Sequence, residues 1–417
     1  MKRHSRVVLK SSVMLALLVT TFAVAQTAHS QVAAANAAEA PVSKAAGINL
    51  DELAQRLVMQ SARVKEGEIV FLSGGVRDLE LLENLATHVS KVGAFPLVTV
   101  LSDRMIKRSF TDVPAKYDSQ EPKLDLALAD LVDAAIVVDS TESAGLLDGI
   151  SVERRAARAK AAAPVNKKYV SNSVRFVEVG NGLYPTSWLA QRLGMSQGDL
   201  AKSFWEGVNV DHTAMQTRGG TVKAALVAGN KLRIARAANG TDVTLSIATR
   251  PIIVSDGLIS AEDVKQGGPA VAVFLPAGEV MITPVAGTAN GKVVVERLYF
   301  DNKEIQNLTL SFAAGKLASM SGSGPGYAAF KARYDAASDP GKAAFAYVDF
   351  GINDKVRLPQ ASKVGTWVPA GMVTVGIGNN INFGGENNSD YSFFFHLPGT
   401  TVTLDGKTIV EDGGLKL

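Results

Sequence analysis

The chain of 417 residues has no cysteine and only five histidines. Without cysteine there can be no disulfide bond, no lipid anchor on an N-terminal cysteine and no thiolate nucleophile. A chain of this length can bury enough apolar surface to fold without disulfides. The sequence also lacks the G-x-G-x-x-G and Walker patterns, so it gives no support for a dinucleotide site or a P-loop.

A long apolar run is missing as well. The apolar run near the N-terminus, Val13 to Val24, is shorter than the ~20 residues needed to cross a bilayer. It follows four basic residues within the first ten positions and ends in Ala23-Val24-Ala25, a small-x-small cleavage pattern. We therefore predict a signal peptide over residues 1–25 and a periplasmic or secreted protein. No membrane span is expected once the signal is removed.

Outside that segment, an excess of charge of one sign is also absent. Four of the 43 Lys and Arg lie in residues 1–25, which hold no Asp or Glu, so 39 remain against 40 acidic residues and the net charge is about −1. This balance gives no indication of a nucleic-acid partner. Residues 26–47 are rich in alanine without an apolar period and are predicted to form a flexible leader.

From residue 48 onward, helical and strand patterns alternate. Leu53, Leu57 and Val58 recur at helical spacing, and the apolar run 68–72 follows them. An amphipathic segment over residues 78–92 then ends at a glycine, as helices often do. Helices that alternate with continuous apolar strands are typical of a parallel sheet. We predict an α/β domain with a parallel sheet over residues 48–205.

Beyond Met195 the pattern changes to short strand-like runs separated by turn signals such as Asn239-Gly240 and Asn290-Gly291. We predict a β-rich (α+β) domain over residues 206–417, with one clear helix at 326–336. The predicted strands of this part lie at 224–227, 231–234, 243–247, 271–274, 292–295 and 308–312.

Several segments, taken in order, resemble one known family. They include Val64-Lys65-Glu66-Gly67-Glu68, Pro276-Ala277-Gly278-Glu279-Val280 and Phe383-Gly384-Gly385-Glu386-Asn387. Over residues 53–417 the chain resembles the metal-dependent aminopeptidases that include aminopeptidase S and aminopeptidase T of thermophiles. The resemblance implies a two-metal site in the C-terminal domain, held by carboxylates and two histidines, and a homodimer formed largely by that domain. Such ligands suit zinc, cobalt or manganese.

The resemblance assigns five ligand positions, and two of them carry side chains that bind metals well. Glu279, in the P-x-G-E-V segment, matches the first carboxylate ligand. Asp349 lies where the family has a glutamate, so its carboxylate is one methylene shorter. For both residues, a polar side chain at the end of a strand is an equally good interpretation.

At the other three positions the expected ligands are absent. Thr374 replaces the histidine of the family's G-T-x-H-x-x-x-G pattern. In the S-x-x-H-x-D pattern, Ser392 replaces the histidine and Phe394 replaces the carboxylate. A hydroxyl binds a metal only weakly, and a phenyl ring cannot bind one and would fill the space of an ion.

Two residues are candidates to compensate for these losses. In an extended strand His396 lies ~13 Å from Ser392, too far to replace a ligand that bonds at ~2 Å, although a register shift of four residues would bring it in. Two carboxylates without a cation repel each other, which raises a pKa or requires a cationic partner. Lys363 is the candidate partner, and a solvated Lys363 in a loop is the alternative.

Two functions remain open at this point. The favoured one is an exported homologue of these aminopeptidases with an incomplete two-metal site, little or no hydrolysis, no metal cofactor, and a peptide or protein as its ligand. The alternative is an active secreted metalloaminopeptidase that uses a divalent metal held by rearranged ligands and releases N-terminal residues from peptides. No catalytic residue is assigned in either case.

Overall fold

The computed structural model describes residues 47–139, 141–359, 362–389 and 391–417. The predicted signal peptide, and the predicted leader up to residue 46, lie outside these ranges and stay predictions. In the described ranges no helix is both long enough and apolar enough to cross a membrane.

The described residues form α-helices and β-strands that we number in chain order. The helices are α1 (Leu50–Arg56), α2 (Leu79–Lys91), α3 (Asp103–Thr111), α4 (Lys123–Leu131), α5 (Val152–Ser171), α6 (Ser187–Leu193), α7 (Gln197–Val208), α8 (His212–Ala228), α9 (Ala261–Gln266) and α10 (Tyr327–Ala336). The strands are β1 (Ile69–Gly75), β2 (Phe95–Leu101), β3 (Ala134–Val138), β4 (Arg175–Val179), β5 (Lys231–Arg236), β6 (Thr241–Ser246), β7 (Ile252–Ser255), β8 (Ala272–Leu275), β9 (Glu279–Ile282), β10 (Asn290–Phe300), β11 (Lys303–Ala313), β12 (Lys316–Ser323), β13 (Phe345–Gly351), β14 (Val373–Gly378), β15 (Ser392–Leu397), β16 (Thr401–Leu404), β17 (Lys407–Glu411) and β18 (Gly414–Leu415).

The first layer is a parallel sheet with the strand order β2-β1-β3-β4-β8. One of its faces is covered by α2, whose apolar side chains Leu81, Leu82, Leu85 and Val89 recur at helical spacing and are buried. The helix is followed by Gly93 at φ +83°, a left-handed conformation that glycine adopts without strain. The predicted α/β fold with a parallel sheet is therefore confirmed.

The remaining strands of the described chain form two antiparallel sheets. One has eight strands in the order β12-β11-β10-β6-β5-β16-β17-β18, and the other has five in the order β15-β14-β13-β9-β7. Side chains from both belong to one hydrophobic core, as Val243 of the larger sheet and Val348 of the smaller one illustrate. The predicted β-rich second half is confirmed, and the helix predicted at 326–336 is α10.

One predicted strand in this half is wrong, because residues 224–227 lie in the last turn of α8. The buried residues Met215, Gly219, Val222 and Leu226 are spaced four, three and four apart, which is the period of a helix. Asp211 caps the helix by accepting hydrogen bonds from the backbone N–H groups of the first turn. The apolar run at 224–227 was too short to distinguish a strand from one side of a helix.

The predicted strand at 271–274 exists, but it belongs to the parallel sheet. As β8 it pairs with β4 in parallel register, Val177 opposite Val273. The chain thus returns to the first layer after the helices α8 and α9, and then passes directly into β9 of the five-stranded antiparallel sheet. This connection places the carboxyl end of the parallel sheet beside β9. The domain boundary at residue 205 stays a prediction.

Candidate functional site

The predicted ligand positions lie on the five-stranded antiparallel sheet, which we call the site sheet. One face of it, with Val280, Val348, Val375 and Phe395, belongs to the hydrophobic core. Because side chains alternate across a strand, the neighbouring residues of β9, β13, β14 and β15 point to the opposite face. That opposite face carries all five predicted positions.

Pairing between strands decides which of these positions come together. Asp349 of β13 is opposite Thr374 of β14, and Thr374 is in turn opposite His396 of β15. Glu279 of β9 is opposite Gly351, which makes it the diagonal neighbour of Asp349 on the same face. The site sheet therefore brings Glu279 and Asp349 together, with Thr374 and His396 in the same row.

The two carboxylates are buried, and three of their four oxygens lack hydrogen-bond partners. Glu279 is 6% exposed and Asp349 is 1% exposed. Oε1 of Glu279 and both carboxylate oxygens of Asp349 accept no hydrogen bond; the backbone N–H of Phe350 lies near Asp349 without the geometry of one. Among the described residues, no Lys or Arg forms an ion pair with either group.

Burial sets the protonation of this pair. Loss of solvation raises the pKa of Glu279 to about 8, against a smaller opposing effect of the Asn181 side chain. Loss of solvation, together with the charge of Glu279, raises the pKa of Asp349 well above its usual range. Without a cation the pair therefore retains at least one proton at neutral pH.

His396 is a residue of this site that the sequence alone did not place. Its Nδ1 lies 2.9 Å from the Thr374 hydroxyl, and burial lowers its pKa to about 3, so the imidazole is neutral. The signal that finds it is the alternation Phe393, Phe395, Leu397, whose members face the core and thereby turn His396 to the site face. His396 is thus a neutral side chain within hydrogen-bond distance of Thr374.

Ser392 and Phe394 lie further along the same face. Ser392 is opposite Gly378 and exposed, while Phe394 is opposite Gly376 and 40% exposed. The ring of Phe394 packs edge-on against Trp367, with centroids 4.4 Å apart. In the strand pairing neither residue lies in the row of Asp349, Thr374 and His396, and the replacement of a ligand by Phe394 stays a prediction.

Lys363 does not neutralise the negative charge of Glu279 and Asp349. Its Nζ lies 3.4 Å from Oε1 of Glu296, and the side chain is 57% exposed. The expectation that it would neutralise Glu279 and Asp349 is wrong, because β10 presents a more accessible carboxylate to the loop that carries it. The same loop passes over His396, since a Cβ added at Gly365 would lie 2.6 Å from the His396 Cβ.

A further buried carboxyl group, on the parallel sheet, is linked to Glu279 through Asn181. Glu178, at the end of β4, accepts a hydrogen bond from the backbone N–H of Asn181 at 3.3 Å, and the Asn181 side chain interacts with Glu279. Loss of solvation, with the nearby charge of Asp139, raises the pKa of Glu178 to about 7. These residues were not found from the sequence, because nothing local marks a carboxylate at a strand end as buried.

The metal-binding side chains of the site sheet can be compared with those that two metal ions require. Two carboxylates with three unpartnered oxygens are suitable donors for a divalent cation. Among the described residues, however, no three His, Asp or Glu side chains are placed to hold one ion together. The residues present do not fit a pair of metal ions.

Known proteins are similar to this chain in sequence and in fold. A family model described as thermophilic metalloprotease (M29) matches residues 47–332, a range that includes Glu279 and ends before Asp349. Wild-type AmpT from Thermus thermophilus is a similar solved structure, with a TM-score of 0.67, 14% identity, and coverage of 88% of this chain and 99% of that chain. The 2,5-dihydroxypyridine dioxygenase from Pseudomonas putida KT2440 is also similar, with a TM-score of 0.54, 12% identity, and coverage of 88% and 96%. At these identities the two likenesses show the fold, and a comparison with curated proteins found no match.

Proposed function

The chain belongs to the thermophilic metalloprotease family M29, and from this premise we propose that it is an exported family member with an incomplete metal site that hydrolyses peptides slowly or not at all. Its retained role is the binding of a peptide or protein ligand in the periplasm or outside the cell. The observation that carries the proposal is the ligand set on the site sheet. Of the five expected positions only Glu279 and Asp349 hold carboxylates, and no third ligand joins them among the described residues.

Two-metal hydrolysis makes demands that this set does not meet. Two cations about 3.5–4 Å apart polarise the scissile carbonyl and lower the pKa of a bridging water. Each ion needs its own side-chain ligands, and the positions that would supply them carry Thr374, Ser392 and Phe394. The neutral His396 is hydrogen-bonded to Thr374 and is separated from Asp349 by Thr374 in the paired row. It therefore does not complete the set of metal ligands.

The proposal is tested by measuring metal content and hydrolysis on the same preparation. We expect the purified chain to retain no tightly bound transition metal and to release no chromogen from aminoacyl anilides above the rate of the double variant Glu279→Gln, Asp349→Asn. That variant is the matched control, because it removes both carboxylates and preserves their volume. Cleavage that is abolished by a chelator and by the double variant, together with about two bound metal ions per chain, would contradict the proposal.

The alternative of an active metalloaminopeptidase has one observation in its favour. The three unpartnered carboxylate oxygens of Glu279 and Asp349 can accept a cation. The variant Thr374→His distinguishes the two functions, since it adds an imidazole between Asp349 and His396 in the paired row. We expect this variant to bind zinc at least about tenfold more tightly than the parent, since one added ligand contributes more than 1.4 kcal/mol. A parent that already binds as tightly would favour the alternative.

A further inference from the structure

Arg192 lies in the last turn of α6, four residues after Trp188 and thus on the same side of the helix. Its guanidinium carbon lies 4.6 Å from the centroid of the Trp188 ring and 4.8 Å from the centroid of the Tyr299 ring. Tyr299 belongs to β10 of the eight-stranded sheet. The guanidinium is therefore placed between a helix of the first half of the chain and a strand of the second half.

The N–H groups of the Arg192 guanidinium have no acceptor. Among the described residues no carboxylate forms an ion pair with Arg192, and no carbonyl or hydroxyl accepts a hydrogen bond from it. Aromatic rings attract a cation through their faces, but they supply none of the in-plane acceptors that five N–H donors need. An arginine near the end of a helix often binds the last carbonyl groups. Arg192 does not donate to those of α6, so capping of the helix does not account for it.

Several other buried or partly buried arginines of the chain do have an anionic partner. Four of them form ion pairs with carboxylates: Arg154 with Asp118, Arg175 with Glu68, Arg218 with Asp354 and Arg236 with Glu296. The carboxylate of Glu304, which lies 3.5 Å from the Tyr299 hydroxyl, is already bound by Arg297. Arg192 differs from these arginines, because it is partly removed from water without a counter-charge among the described residues.

Burial makes these unpaired donors costly. Loss of solvation lowers the pKa of Arg192, and within the described chain the Tyr299 hydroxyl is the one ionisable group that opposes this effect. The indole N–H of Trp188 is also buried, and no described residue accepts a hydrogen bond from it. A buried donor without a partner costs free energy that a bound acceptor recovers. Two adjacent side chains thus offer N–H donors without an acceptor, and Arg192 is only partly buried, so a ligand can reach it from solvent.

We propose that Arg192 binds a carboxylate of the peptide or protein ligand, an inference that rests on the proposed function. Two N–H groups in the plane of a guanidinium match the two oxygens of a carboxylate. A single negative charge suits the site, because no second cation of the described residues lies close enough to influence the pKa of Arg192. A phosphate would bring a further negative charge without a partner. The C-terminus of a peptide and an acidic side chain both carry the required group.

The first test varies the ligand and leaves the chain unchanged. The probes are N-acetyl-trialanine, its C-terminal amide, and the amide of N-acetyl-Ala-Asp-Ala, whose blocked N-termini prevent cleavage by an aminopeptidase. By isothermal titration calorimetry, we expect at least one of the two probes with a carboxylate to bind at least about tenfold more tightly than the trialanine amide. The tighter of these two probes identifies the source of the carboxylate. Equal binding of all three would support the proposed peptide binding and overturn the role of Arg192, whereas no binding of any probe would contradict both.

The second test varies the chain. Arg192→Gln removes the charge, Arg192→Lys keeps the charge but removes the planar pair of donors, and Arg104→Gln on the exposed side of α3 is the matched control. We expect the affinity for the tighter carboxylate probe to fall at least about tenfold in Arg192→Gln, about threefold or more in Arg192→Lys, and less than about twofold in the control. The affinity for the trialanine amide should not change. An Arg192→Gln variant that binds the carboxylate probe as tightly as the parent would overturn the proposal.

Unfolding in urea separates ligand binding from a purely structural role of Arg192. Without probe, we expect Arg192→Gln to unfold at the same urea concentration as the parent or at a higher one, because the variant no longer holds a desolvated cation without a counter-charge. A saturating concentration of the carboxylate probe should raise the midpoint of the parent and leave that of Arg192→Gln unchanged. A variant that is less stable than the parent without probe, and is stabilised by the probe as much as the parent, would show that Arg192 only joins α6 to β10 and would refute the proposed site.

Discussion

Glu178 shows how burial sets the charge of one side chain. It is 6% exposed at the carboxyl end of the parallel sheet, and loss of solvation raises its pKa from its ordinary value of 4.5 to about 7. Between these two values the folded chain holds a proton that the unfolded chain has released. Its contribution to stability is therefore complete at low pH and is lost as the pH rises through about 7.

This gives a prediction for Glu178→Gln. The amide cannot ionise, so the variant avoids the cost of a buried charge, and we expect it to be more stable than the parent by about 1–3 kcal/mol at pH 8 and nearly equal to it at pH 4. Urea unfolding at both pH values measures the difference. Glu83→Gln, on the exposed side of α2, is the control for the same substitution at a position that is not buried. An equal effect of Glu178→Gln at both pH values would show that its charge is not the cause.

At the scale of elements, β14 illustrates why the site face is closely packed. Gly376 lies in the middle of this strand, opposite Phe394, and an added Cβ would come within 2.2 Å of the Tyr347 ring. Tyr347 is fully buried, with its hydroxyl near the carboxyl groups of Asp349 and Glu279. The glycine is therefore needed for the close approach of a side chain, and no turn conformation is involved.

We accordingly expect Gly376→Ala to reduce the free energy of unfolding by about 2–4 kcal/mol, as overpacking in a buried strand does. Gly220→Ala is the matched control, because that glycine lies within α8 and an added methyl meets nothing within 4 Å. The control should gain about 0.5–1 kcal/mol from helix propensity. Urea or thermal unfolding of both variants separates packing from conformational freedom, and a neutral Gly376→Ala would contradict the contact with Tyr347.

For the whole molecule, Asn353 connects the two halves. Its side-chain N–H groups donate to the carbonyls of Gly207 in α7 at 3.1 Å and Ala277, between β8 and β9, at 2.7 Å. Its side-chain oxygen accepts from the backbone N–H groups of Lys355 and Val356. One fully buried amide thus joins the segment that leaves the parallel sheet to a helix and to the loop that follows β13.

Asn353→Ala leaves these backbone groups buried without partners, and we expect it to lower the free energy of unfolding by about 2–4 kcal/mol. The exposed Asn388→Ala should change it by less than about 0.5 kcal/mol. Urea unfolding followed by circular dichroism measures the loss, and the variant should unfold in two steps where the parent unfolds in one if Asn353 couples the two halves. A loss no larger than that of the control would show that water replaces the amide.

The fold of the whole molecule does not by itself decide the chemistry. The two similar solved structures are named as AmpT and as a dioxygenase, although each is covered almost completely by this chain. Function therefore depends on the side chains of the site sheet. This chain's own site is therefore described by its side chains, namely the closely packed face, the unpartnered carboxylates and the hydrogen-bonded His396.

The sequence by itself determined the features that depend on short-range patterns. Alternation of apolar runs predicted the parallel sheet, turn signals predicted the β-rich half, and short motifs placed the chain in its family and identified Glu279 and Asp349 as candidate ligands. These features follow from periodicity and local conformation, which neighbouring residues encode. The apolar run at 224–227 shows the limit, because four residues fit both a strand and one side of α8.

Only the tertiary structure decided which distant residues meet. Strand pairing placed His396 opposite Thr374, and set Ser392 and Phe394 apart from the two carboxylates. It also returned β8 to the parallel sheet and brought Lys363 to Glu296. Register and burial depend on contacts between segments far apart in the chain, and a shift of one residue turns every side chain of a strand to the other face. The raised pKa of Glu279 has the same origin, because the loss of water around it exists only in the folded chain.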